Sequence, residues 1–191
     1  MPFIALHKDT QERIDITEIA DPRKVLKSGD CVCQLCGEPL IIKAGLIISP
    51  HFAHYAKCTS EYAAHPESEA HRQGKRALAQ FLREYFAEYV DDLQIDFEVK
   101  IPEAKRVADL VLTFPMGWRI AHEVQLAGIT TEELQQRTED YARAGIDTVW
   151  WLGRSADTPA NRFWCVEQFG ICYHLNFRET NEARTLHTEN L

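Results

Sequence analysis

Two groups of side chains in this sequence have the types and spacings that chemistry needs. The first is rich in thiols and imidazoles. Four of the six cysteines, Cys31, Cys33, Cys36 and Cys58, share one stretch with His51 and His54. Cys33-x2-Cys36, with Gly37 just beyond, has the spacing with which two thiolates grip one ion from a tight turn. Structural zinc takes four N or S ligands in a tetrahedron. The set read here is Cys33, Cys36, His54 and Cys58, with His51 as the alternative to His54 and Cys31 as a spare. A reduced, metal-free module is the competing reading. A redox pair fits less well, because the two cysteines do not sit at a strand-to-helix junction. So short a segment has little core of its own, and zinc contributes on the order of 10–16 kcal/mol in isolated fingers. The ion is therefore expected to fold residues 30–60.

The second group is carboxylates. In RVADLVLTFPMGWRIAHEVQL the turn Phe114-Pro115-Met116-Gly117-Trp118 predicts an antiparallel hairpin centred on Met116. Asp109 and Glu123 are equidistant from that centre and fall opposite each other, on one face, with Gln125 two residues beyond. Two carboxylates this close repel by roughly 4 kcal/mol at 4 Å and an effective dielectric of 20. One proton or one divalent cation must neutralise them, and oxygen ligands suit Mg²⁺ or Mn²⁺. A register shifted by one residue would instead leave one acid on a solvated face.

Upstream, His71 and Lys75 are four apart and continue the line of Leu78 and Leu82 on a predicted helix. A histidine and a lysine at the buried end of an apolar stripe need acidic partners or a substrate anion. Glu67 joins the line if the helix starts early. The alternative is a Lys75 that snorkels to solvent and a His71 that caps the helix.

The elements that must position these groups follow from periodicity and turn chemistry. Two short strands, Phe3–His7 and Arg13–Thr17, precede the cysteines. Leu40–Lys43 and Leu46–Ile48, split by Ala44-Gly45, predict a tight hairpin. A helix runs from Ser68 to about Val90, followed by strands at Gln94–Ile101, Arg106–Thr113 and Trp118–Leu126. Thr130-x2-Glu133 is a capping box opening a helix that ends near Gly145. Thr148–Leu152, Phe163–Val166 and Ile171–Leu175 read as further strands, with Cys165 and Cys172 as buried small apolar side chains. A polar tail starts at Arg178. The expected domains are a β-rich zinc-binding module over 1–66, an α/β domain over 67–177 and a tail over 178–191.

The 191 residues, 45% hydrophobic and 26% charged, have an ordinary globular composition. A net charge of −8 argues against a histone-like coat on nucleic acid. The charge is uneven: residues 23–76 hold eight Lys and Arg against five acids, so this segment is basic on an acidic body and could meet phosphate. No run is long enough to cross a bilayer, and the amino terminus turns polar after six residues. The expectation is a cytoplasmic protein without a membrane partner.

Taken together in chain order, Cys33-x2-Cys36-Gly37, His51-Phe52-Ala53-His54, Glu67-Ser68-x2-His71-x3-Lys75, Arg106-x2-Asp109, Glu123-x-Gln125, Arg137-Thr138-x2-Tyr141 and Val149-Trp150 resemble the competence protein CoiA-like family. The resemblance covers residues 3–152. It implies a zinc-finger-like segment joined to a nuclease domain of the PD-(D/E)XK class, a restriction-endonuclease-like αβββαβ core. By the same resemblance Asp109 and Glu123, with the backbone carbonyl of Val124, would hold a catalytic Mg²⁺ or Mn²⁺. Gln125 stands where most of that class has lysine. Glutamine supplies no positive charge, so either Lys75 reaches in from the helix or the site is slow or inactive. The reading here favours Lys75, with His71 positioning the scissile phosphate and Arg137 and Tyr141 bracing the site or touching the DNA backbone. The expected function is metal-dependent DNA cleavage. The rival is an inactive nuclease fold that binds DNA or protein through its zinc module. A hydrolase of small phosphoesters would need a closed pocket, and the sequence has no Gly-rich phosphate loop.

Overall fold

The computed structural model describes residues 2–45, 48–62, 67–178 and 185–187. The chain separates into two compact units, 1–72 and 73–191.

The first unit is built from short strands. β1 (Ile4–His7) pairs antiparallel with β2 (Arg13–Asp15), and a single helical turn, α1 (Pro22–Val25), follows. β3 (Cys31–Val32) lies on the other side of β1. Its core is small, with Phe3, Ile4, Ile16, Leu40 and Phe52 fully buried. β4 (Leu40–Lys43) pairs antiparallel with β5 (His51–His54), Leu40 against His54. The partner of Leu40–Lys43 is thus His51–His54 and not the expected Leu46–Ile48, of which Leu46 and Ile47 lie outside the described residues. The apolar run near Ile48 misled because it is richer in branched residues than HFAH, whose Phe52 and Ala53 are nonetheless the buried ones.

α2 (Glu69–Phe86) starts where Ser68 Oγ accepts the His71 N–H at 3.1 Å, an N-terminal cap. Lys75, Leu78, Ala79 and Leu82 form its buried stripe. The second unit then runs β6 (Gln94–Ile101), β7 (Arg106–Thr113), β8 (Arg119–Gln125), α3 (Thr131–Arg143), β9 (Asp147–Leu152), α4 (Pro159–Phe169) and β10 (Tyr173–His174). The strands form one five-stranded sheet in the order β10-β9-β8-β7-β6. β6, β7 and β8 are antiparallel neighbours, while β9 runs parallel to both β8 and β10. From α2 to β9 the element order is α-β-β-β-α-β, as expected.

The β7–β8 turn has its predicted centre. Thr113 pairs with Arg119 and Leu110 with His122, the last pair of the ladder, one step short of Asp109 and Glu123. Gly117 takes a φ of +82, and Phe114 closes the turn by donating its N–H to Trp118 O at 2.9 Å. α3 opens with the full capping box between Thr130 and Glu133.

One expected strand is a helix. Phe163–Val166 lies inside α4, which Thr158 caps by accepting the Asn161 N–H, with Pro159 in the first turn and Gly170 at φ +74 after the last. Asn161, Trp164 and Cys165, spaced three and four apart, are its buried side. The aromatic and branched residues that suggested a strand serve here as a helix face. Cys165 and Cys172 are buried, with Cys165 on α4. In the expected tail, β11 (Asn176–Arg178) pairs antiparallel with β12 (Thr185–His187), so that stretch carries a strand.

Candidate functional site

In the first unit the structure gathers Cys33, Cys36, His54 and Cys58. Their ligand atoms all lie within 4.8 Å of one another. The local fold explains how. Gly37, at φ +76, donates its N–H to Cys33 O at 2.9 Å, and Cys33 donates to Glu38 O at 2.9 Å, making the tight turn that aims both sulfurs inward. Leu35 N–H points at Cys33 Sγ, 3.4 Å away. His54, at the end of β5, brings Nε2 to 3.3 Å from Cys36 Sγ. Sulfurs held at about 2.3 Å in a tetrahedron stand roughly 3.8 Å apart, so the cluster has the size that zinc requires. Its donor set, three thiols and one imidazole, is also that of structural zinc.

The protonation states suit a cation. Burial pushes the Cys33 thiol up to about 12, so it would not ionise on its own. At Cys36 burial opposes ionisation, but hydrogen bonds from the Glu38 amide and neighbouring thiols outweigh it and lower the value. Burial lowers His54, keeping its ring neutral as a ligand must be. His51 turns elsewhere: its Nδ1 lies 2.7 Å from Ser49 O.

His71 and Lys75 both meet acids. His71 Nδ1 is 2.9 Å from a Glu67 carboxylate oxygen. Lys75, only 2% exposed, donates Nζ to Glu98 Oε1 at 2.7 Å. Glu98 was not foreseen as a partner. It lies opposite Asp109 across β6 and β7, where the ladder passes from Phe97–Leu110 directly to Val99–Ala108. Glu98 has a φ of +54, a left-handed conformation uncommon for a non-glycine residue inside a strand.

In the hairpin, Asp109 is half-buried and its Oδ2 accepts the Val124 N–H at 2.9 Å. Glu123 is 2% exposed, and α3 holds its carboxylate. Arg137 Nη2 donates to Glu123 Oε2, and Tyr141 O–H donates to Oε1. Arg137 Nη1 reaches Gln125 Oε1 at 3.4 Å, and Gln125 Nε2 donates to Ala127 O at 2.9 Å. Burial disfavours the Arg137 charge, but the negative charge of Glu123 foremost, with Tyr141 and Asp109, holds its guanidinium above the ordinary value. Burial and then the Glu123 charge push the Tyr141 phenol up, so it stays a hydrogen donor. Arg106, from the same motif as Asp109, donates to Asp140 at 2.6 Å.

Leu134, Arg137 and Tyr141, at spacings of three and four on α3, make one sheet-facing stripe, and Leu134 and Tyr141 are fully buried. That spacing was the available sequence signal that Arg137 points at the hairpin. Among the described residues, no cluster of three metal-ligating side chains includes Glu123.

A β-rich unit with a Cys₃His cluster, joined to an α-β-β-β-α-β unit with acids on its central hairpin, defines a two-part α/β protein. Residues 15–62 match the family model described as "Competence protein CoiA, N-terminal domain", and residues 67–183 match "Competence protein CoiA, nuclease-like domain". The chain belongs to the CoiA family. Competence protein CoiA of Bacillus subtilis (strain 168) is 31% identical over 137 residues, which cover 71% of this chain and 35% of that protein. The chain thus spans about a third of that relative's length. No solved structure matches. No helix among the described residues is long and apolar enough to cross a membrane.

Proposed function

We propose that this chain is a metal-dependent DNA nuclease of the PD-(D/E)XK class with a zinc-bound amino-terminal module. The observation that supports the reading is the Asp109 carboxylate accepting the Val124 N–H, next to Glu123, just past the last β7–β8 pair of Leu110 with His122, in a domain whose family model is nuclease-like. Asp109, Glu123 and the Val124 carbonyl would hold Mg²⁺ or Mn²⁺. When bound, such a cation polarises the phosphoryl oxygen and lowers the pKa of a water molecule.

The chain's own residues fix the geometry. The Val124 N–H holds the Asp109 carboxylate in place, and Arg137 and Tyr141 do the same for Glu123. His71, with its imidazole oriented by Glu67, is assigned to the scissile phosphate. In the reaction, water oxygen bonds to phosphorus as the bond to the leaving oxygen breaks. Water loses a proton to solvent, and the leaving oxygen gains one. The zinc module, in a basic segment of the chain, supplies a grip on the DNA backbone that weakens with salt.

Incubating plasmid and linear single-stranded DNA with Mg²⁺, Mn²⁺ or chelator tests this. Cleavage that needs the cation supports it; no cleavage of either form rejects it. The second reading, an inactive nuclease fold that binds DNA through its zinc module, draws on the same carboxylate. Glu123 already has an arginine and a tyrosine as partners, so it is neutralised without a cation. Zinc-dependent DNA binding without cleavage would favour that reading.

A further inference from the structure

The proposed reaction places negative charge on a phosphate beside Glu123, and Gln125 cannot answer it. Two cations compete for the task. Lys75 is the weaker candidate: it is buried and its ammonium is bonded to Glu98, so the Lys75 charge is already committed. Arg137 is also paired with a carboxylate, Glu123, but it is more exposed and its fork keeps further donors. Its side chain is 24% exposed, and its terminal nitrogens point at Glu123 and at Gln125. Its guanidinium carbon stands 4.9 Å from the centroid of the Trp150 ring, which holds the plane in a fixed orientation. The buried Nε has no hydrogen-bond partner among the described residues.

We propose that Arg137 is the catalytic cation of the hairpin site, contacting the scissile phosphate beside Glu123 in place of both Gln125 and Lys75. This rests on the nuclease reading above. The chemistry follows from the guanidinium, a planar fork of five donors that can bind Glu123 through one nitrogen and a phosphate oxygen through another. Lysine, a single point charge, would have to choose. Placement on the rigid helix α3, between fully buried Leu134 and Tyr141, preorganises the fork before DNA arrives. The 3.4 Å contact between Arg137 and Gln125 also means that a lysine at 125 would put its charge where the arginine now stands.

The test compares wild type, Arg137→Gln, Arg137→Lys and the double variant Gln125→Lys/Arg137→Gln. Cleavage is measured with Mg²⁺ and Mn²⁺. Separately, affinity of the zinc-loaded protein for a single-stranded oligonucleotide is measured without added Mg²⁺ or Mn²⁺ over a salt series. Arg137→Gln should lose on the order of 10²–10³-fold in rate, the size of one preorganised electrostatic stabiliser. Its plot of log affinity against log salt should become shallower by about 0.7, one phosphate contact on a single strand. Arg137→Lys, whose point charge cannot serve Glu123 and the phosphate together, should lose at least tenfold in rate, and the double variant should regain at least tenfold in rate over Arg137→Gln. An Arg137→Gln protein that keeps its rate and slope overturns the proposal. So does an Arg137→Lys protein with the wild-type rate, or a double variant with no gain. Should Arg137→Gln not fold, Arg137→Lys alone decides by its rate. Wild type without any metal-dependent cleavage would sink the nuclease reading, and with it the catalytic role of Arg137.

Discussion

Lys75 and Glu98 form an ion pair inside the second unit, with Nζ and Oε1 2.7 Å apart and both residues buried. Burying two charges costs several kcal/mol each, and their attraction offsets this only while both are present. The pair also sits at an unusual backbone position, since Glu98 leaves the β6–β7 ladder with a φ of +54. Such local strain costs roughly 1–3 kcal/mol and persists where surrounding contacts fix it.

Lys75→Ala is therefore expected to destabilise by about 3–5 kcal/mol, because it removes the ammonium that faces the buried Glu98 carboxylate. The double variant Lys75→Ala/Glu98→Leu should lose less than the two single losses summed. Urea unfolding of both proteins and of Glu98→Leu alone checks this through a double-mutant cycle. Losses in Lys75→Ala and Glu98→Leu that simply add up in the double variant would contradict the coupling. The folded fraction of Lys75→Ala is therefore measured before any change in DNA cleavage is ascribed to the Lys75 charge.

One zinc ion per chain is expected at Cys33, Cys36, His54 and Cys58. Elemental analysis should give a stoichiometry near one for the wild type and near zero for Cys33→Ala/Cys36→Ala. His54→Ala should lose more zinc than His51→Ala, whose ring faces Ser49 O instead. The reverse order would exchange the two histidines.

His122 predicts a pH dependence. Trp151 Nε1 donates to His122 Nδ1 at 2.9 Å, so the ring proton is on Nε2. Burial lowers the His122 value to about 3 in the folded protein, whereas the unfolded chain titrates near 6.5. The unfolded state takes up the proton first. The stabilising contribution is thus complete above about 6.5 and is lost as pH falls towards 3, at about 1.4 kcal/mol per pH unit. Unfolding free energies at pH 7, 6 and 5 should fall more steeply for wild type than for His122→Phe. Parallel slopes would count against a neutral buried ring.

The hairpin was readable because one turn fixes it: Gly117 and the Phe114–Trp118 closure set the centre, and counting outward does the rest. The need of Lys75 and His71 for acids was readable too, from their place on an apolar stripe. Glu98 as the partner of Lys75 was not, because nothing in QIDFEVKI announces a left-handed residue within a strand. Arg137 was visible as a residue on α3 but not as the clamp on Glu123. That needed the helix rotation, which Leu134 and Tyr141 reveal once they are known to be buried. The apolar residues of α4 suit either period, and only the Thr158-Pro159 start signal separates helix from strand there.

The central claim is that Asp109 and Glu123 serve one cation in cutting DNA. Its most direct test is plasmid cleavage in Mg²⁺ or Mn²⁺ by wild type, Asp109→Ala and Glu123→Ala, with DNA binding measured beside it. Cleavage should vanish in both variants. Binding should persist or tighten, since each change removes a negative charge facing phosphate. Cleavage that survives Asp109→Ala would place the chemistry elsewhere in the chain and contradict the account.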